Sequence, residues 1–112
     1  MIREIDILLY RRGESIPFSE WLASLKDVRT RSIVRARLHR IRMGNFGDCK
    51  SVGRGVEELR IDFGPGYRVS GTRDAFVVIL LCGGAKRTQA RDFPAAQRYG
   101  REYLNAETER QD

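Results

Sequence analysis

Lys50, Arg60, Arg68, Lys86 and Arg87 are the residues whose types and spacing suit chemistry, because they are cations from three separate segments that a fold can bring to one groove. Such a set suits charge neutralisation at a phosphate. Cleavage of an RNA phosphodiester needs a group to take the 2′-hydroxyl proton, donors for the extra charge of a phosphorane-like transition state, and an acid for the leaving 5′-oxygen. Arginine offers its donors in a planar fork. Lysine, with an ordinary pKa of about 10.4, becomes a usable base only where neighbouring cations lower that value. The same cluster equally suits a surface that binds phosphate or an acidic peptide without chemistry, and composition alone favours that plainer reading.

Other chemistries are poorly supplied. His39 is the single histidine, so no Ser-His-Asp or Cys-His pair can be assembled, and its place among Arg35, Arg37 and Arg40 reads as a solvated or partner-facing side chain. Glu57 and Glu58 are neighbours on a predicted strand and point to opposite faces, which leaves no carboxylate pair for glycosidase-like or metal-assisted work. Cys49 and Cys82 have no CxxC spacing and no histidine beside them, so neither a zinc site nor a redox motif is supported. No metal and no cofactor are expected. Phe46, Tyr67 and Phe93 lie close in sequence to the cations and are candidates to stack on an unpaired base, although core packing explains any one of them as well. The glycine pairs at 53–55 and 64–66 lack the phosphate-loop pattern and read as turns.

The elements that position these residues follow from periodicity. Residues 5–10 are a short apolar run closed by Arg11, Arg12 and Gly13, which predicts an N-terminal strand. Pro17 suits a helix start, and Phe18, Trp21, Leu22 and Leu25 give residues 17–26 one apolar face. A second helix is predicted over 28–43, with Asp27 as N-cap and Val34, Leu38 and Ile41 inward; Arg29, Arg31, Arg35, Arg37, Arg40 and Arg42 are assigned to its outer face. After a loop that carries Lys50, the period changes to two at Leu59, Ile61 and Phe63. Pairing Phe63 with Tyr67 across 64–66 puts Arg60 and Arg68 on one face. The apolar run 76–82 predicts an interior strand whose tip, 83–89, presents Lys86 and Arg87 on rigid scaffold. Pro94 is read as the start of a last helix, capped by Asp92, with Ala96, Tyr99, Tyr103 and Ala106 inward. The expectation is one α+β domain over 1–112, with a largely antiparallel sheet in the order strand, two helices, three strands, helix, and an unstructured tail at 108–112.

A net charge of +6 and a pI of about 9.9 favour an anionic partner, nucleic acid or acidic protein. No apolar run approaches the roughly 20 residues that span a bilayer, so the expected setting is cytoplasmic and reducing, with no membrane partner.

At 47–61, 64–69 and 80–89 the chain resembles the addiction-module killer proteins of the RelE/ParE superfamily of toxin–antitoxin toxins, near its HigB-like and phage-encoded branch. The motifs cover residues 44–92, and the element order agrees along nearly the whole chain. The resemblance implies a compact RelE-like toxin, held in check by a helix-turn-helix antitoxin, that cuts mRNA without metal, usually on the ribosome. It places Arg60 and Arg68 at basic positions of the catalytic hairpin and Lys86 and Arg87 at the basic pair after the last strand. In this reading Arg60 and Arg68 stabilise the transition-state phosphate, Lys86 or Arg87 moves protons, and Lys50 and Gln89 position substrate. Two positions depart from the pattern: Phe93 stands where RelE has a tyrosine, and Glu58 replaces a second hairpin lysine. The alternatives are a ParE-like toxin that inhibits a topoisomerase by contact, and a degenerate toxin that only binds its antitoxin.

Overall fold

A computed structural model describes residues 3–111, with side chains to residue 107. Along the chain run β1 (Asp6–Leu9), α1 (Pro17–Ser24), α2 (Val28–Arg42), β2 (Cys49–Gly53), β3 (Val56–Ile61), β4 (Tyr67–Asp74), β5 (Val77–Ala85), a 3₁₀ turn (Lys86–Thr88) and α3 (Gln89–Gln111). The strands form one mixed sheet in the order β1-β5-β4-β3-β2, with β1 parallel to β5 and the other pairs antiparallel. The α+β class holds. Four strands, not three, follow the helical pair: the segment expected to be a loop around Lys50 is the edge strand β2.

Each face of the sheet is covered by its own helices. Val34 and Ile41 of α2 and Phe18 of α1 close over Leu59, Ile61, Val69, Val78 and Leu80. Ala96 of α3 closes over Tyr10, Val56, Ile79, Leu81 and Cys82 on the other side. The α1 stripe of Phe18, Trp21, Leu22 and Leu25 packs as its spacing requires. Asp27 caps α2 by accepting the Arg29 N–H at 3.0 Å. One arginine departs from the assignment: Arg37 is 8% exposed and lies inward, three residues after Val34 and four before Ile41. Its guanidinium donates to the carbonyls of Arg60 (2.6 Å), Phe46 (2.7 Å) and Asp48 (2.8 Å), which fastens α2 to the start of β2 and to β3. Burial, reinforced by the neighbouring Arg40, lowers its pKa.

The hairpin register differs from the expected one. Ile61 pairs with Tyr67 and Arg60 directly with Arg68, so residues 62–66 connect the strands. Phe63 leaves the ladder because its ring packs on the α1/α2 core, and the Gly66 N–H closes the turn on the Phe63 carbonyl at 3.0 Å.

β5 carries the device that lets both layers reach its end. Ser70 pairs with Cys82 and Gly71 with Leu80, which leaves Leu81 as an unpaired bulge residue. Beyond it the side-chain phase is shifted: Cys82 lies in the α3 core, Gly83 faces α1, and Gly84 faces α3. A Cβ on Gly83 would collide with the Trp21 ring, and one on Gly84 with the Asp92 carboxylate. Adjacent glycines thus admit one helix from each side. α3 begins at Gln89, five residues before the expected start, and Pro94 and Asp92 lie inside it. Thr88 holds this entry. Its hydroxyl oxygen accepts the Ala85 N–H at 3.1 Å, and its hydroxyl also contacts the Asp92 carboxylate. Ala106 is exposed instead of inward, and the backbone of 108–111, expected to lack structure, continues α3. Asp112 lies outside the described residues.

Candidate functional site

Strand register brings the cations together. Lys50 pairs with Glu58, Glu58 with Ser70, and Arg60 with Arg68, so these side chains emerge on one face of the sheet, the face that α3 enters. Gln89, the first residue of α3, reaches the same group by donating from Nε2 to Glu58 Oε1 at 3.4 Å. Two arginines directly opposite each other repel, and each is answered by a carboxylate. Arg68 Nη1 donates to Glu58 Oε1 at 2.5 Å, with Glu58 only 2% exposed, and Arg60 Nη2 meets Asp48 Oδ1 at 3.2 Å nearer the solvent. The four groups sum to zero charge. Glu58 Oε2 and Arg60 Nε are buried without a hydrogen-bond partner.

Lys50, Lys86 and Arg87 are exposed and make no ion pair among the described residues, so they supply net positive charge near this face. The Lys86 N–H donates to the Gly66 carbonyl at 3.0 Å, which ties the strand end to the hairpin connection. Arg87 sits beside it on the 3₁₀ turn. Tyr67 lies on the opposite face, edge-on to Trp21 with centroids 6.3 Å apart, and packs on the α1/α2 core. Phe93 is half-buried in the first turns of α3. The structure therefore gathers Lys50, Arg60, Arg68 and Gln89, sets Lys86 and Arg87 at the strand end, and places Tyr67 on the other face.

Glu58 is the member of this group that the sequence reading left without a role. Alternation on β3 already put it on the face of Arg60; what it could not show is that the first turn of α3, 31 residues further along, closes over it. Ser70 and Cys82 complete the buried row. Burial, with Asp92 adding to it, pushes the Cys82 thiol up to about 11, and burial and Glu57 also raise Cys49 on the other face. Both sulfurs are therefore protonated near neutral pH and serve as packing. Among the described residues, no group of three or more His, Cys, Asp or Glu side chains has the proximity to hold a metal ion, and no helix is long and apolar enough to cross a membrane.

No family model and no solved structure matches the chain. A protein of Haemophilus influenzae, described as uncharacterized, is 48% identical over 84 residues, which cover 74% of this chain and 85% of that protein. At that identity and coverage, this chain belongs to the same family as the Haemophilus protein.

Proposed function

We propose that the chain is a RelE-like endoribonuclease toxin that cuts mRNA, with the ribosome as its setting and a helix-turn-helix antitoxin as its partner. The observation that carries this reading is the direct pairing of Arg60 with Arg68 on the sheet face beside Lys50 and Gln89. Like charges so placed are costly in a purely structural role, and they are what a transition-state phosphate needs. Of the guanidinium donors of Arg68, only Nη1 is engaged, which leaves the rest of the fork for a phosphate. A partner reading has its own support. A hollow of about 390 Å³ between β1, α1 and α2 has an apolar floor that includes Phe18, Leu22 and Leu38 and a rim of Arg35, His39 and Arg42, which suits an acidic amphipathic segment.

The test is RNA cleavage by wild type, Arg68→Ala and Lys86→Ala, alone and on translating ribosomes. Loss of a transition-state donor is expected to lower the rate on the order of 100-fold or more. Equal activity in all three removes this site. One observation favours a second reading: both hairpin arginines are neutralised by carboxylates, as suits a ParE-like contact inhibitor that cuts nothing. Inhibition of topoisomerase supercoiling with no RNA cleavage would establish that reading instead.

A further inference from the structure

We infer that Glu58 is the base of the reaction, the group that accepts the proton of the attacking ribose hydroxyl. This rests on the endoribonuclease reading and adds to it the residue that the cations cannot supply. A buried carboxylate oxygen without a partner is costly, and such an orphan marks a place that something else completes. Glu58 has one spoken-for oxygen, Oε1, shared by Arg68 and Gln89, and one free, Oε2. The groups facing it are named by element: Lys50 from β2, Arg60 from β3, Arg68 from β4, Cys82 from β5, and the neutral Gln89, with Asp92 a turn later, from α3.

The geometry links the base to the phosphate through one arginine. Arg68 grips Glu58 with Nη1 and keeps its remaining N–H groups for a phosphate, so the reacting phosphorus and the carboxylate are held by the two ends of one rigid fork. The Gln89 contact, to Oε1, is the longest in the group, so this amide is the neighbour that yields most readily when a substrate reaches the buried carboxylate. In the step, the ribose 2′-oxygen forms a bond to phosphorus as its proton passes to Oε2. The bond from phosphorus to the 5′-oxygen breaks, and the 5′-oxygen takes a proton from the Lys86 ammonium or from water. The products are a 2′,3′-cyclic phosphate and a 5′-hydroxyl, with no change of oxidation state. An ordinary carboxylate is a weaker base than an ordinary amine, yet near neutral pH it is available in its basic form, whereas an ordinary lysine is so only about once in a few thousand molecules.

The experiment reads rate against pH and pairs it with Glu58→Gln, which keeps the side chain's size and an oxygen for Arg68. Wild type is expected to cut at a rate that is level from about pH 7 to 9 and falls on the acid side as a carboxylate protonates. Glu58→Gln is expected to bind a non-cleavable RNA carrying a 2′-deoxy sugar at the scissile position as wild type does, to cut at least about 100-fold more slowly, and to lose the acid limb. A wild-type rate that climbs about tenfold per pH unit from 6 to 9 would overturn the inference, since that is the signature of an amine base. So would full activity in Glu58→Gln beside a dead Arg68→Ala, a result that leaves the nuclease reading standing. Wild type that cuts no RNA overturns both. If Glu58→Gln does not fold, the wild-type profile alone decides.

Discussion

The two faces of the sheet bury polar groups in different ways. On the α1/α2 face the one deeply buried charge among the described residues, Arg37, spends its Nη donors on three backbone carbonyls, and the surroundings are largely apolar. On the α3 face the buried row runs Glu58, Ser70, Cys82, with Arg68 clamped to Glu58 and an oxygen left over. A cation whose Nη donors bind only main-chain oxygens holds the chain in place, and the one donor it leaves over, the buried Arg37 Nε, faces no ionised partner. A cation that binds another ionised side chain, over an unsatisfied atom, has capacity in reserve. The first face is built for stability, the second at some expense to it.

Three measurements sharpen that contrast. The largest effect is expected at Arg37→Met, which strips the donor from three carbonyls and should cost about 3 kcal/mol in denaturant unfolding. A loss below about 1 kcal/mol would mean that water replaces the guanidinium and that the first face is not as dry as it looks. The opposite sign is expected across the sheet. Replacing the pair together, Glu58→Leu with Arg68→Met, removes two desolvated charges and should leave stability unchanged or raise it by about 1 kcal/mol, while RNA cleavage is abolished. A strong destabilisation of the double variant would make the pair structural and erase the difference between the faces.

The smallest effect concerns the far end of the α3 face. There the Tyr10 hydroxyl donates to Glu102, and Arg12 Nε meets the same carboxylate at 3.1 Å. The bond from Tyr10, with Arg12 adding to it, lowers the Glu102 pKa, so its contribution is present above the ordinary carboxylate range and is lost as pH falls through the lowered value. Tyr10, pushed up to about 12 by burial and by Glu102, contributes below its ordinary value and loses that contribution as pH rises toward about 12. The melting temperature should be level in between and dip slightly at both extremes, and Glu102→Gln should flatten the acid dip.

Legibility tracked how local each signal is. α2 could be placed from Asp27 and the Val34–Ile41 spacing, both within the segment itself. β2 could not: three of its five residues, Lys50, Ser51 and Gly53, are exposed on an edge strand, and nothing apolar alternates strongly enough to mark it. Arg37 was hidden by company, since it is one arginine among six on a basic helix; its offsets from Val34 and Ile41 were the available clue. The common face of Arg60 and Arg68 survived a wrong register, because moving both ends of the pairing by whole pleats keeps parity. The start of α3 was misplaced because Pro94 was read as a boundary, while the true entry is set by Thr88 and by Gly84, whose meaning depends on what packs against it.

Leu81 has a consequence for how this chain tolerates change. Because it is the one residue of β5 without a partner, it works as a parity switch: every side chain after it points to the layer opposite the one that simple alternation would assign. Deleting it would close the bulge: Cys82 would follow Leu80 in simple alternation and stay in the α3 layer, with Gly83 still under Trp21 and Gly84 still under Asp92. The strand would still be apolar and still pair, and Lys86 and the entry of α3 would stay on the side they now occupy. A one-residue deletion there thus keeps every downstream layer, whereas the same deletion at a paired residue of β5 would shift the ladder against its neighbours, a difference that point substitutions would never reveal.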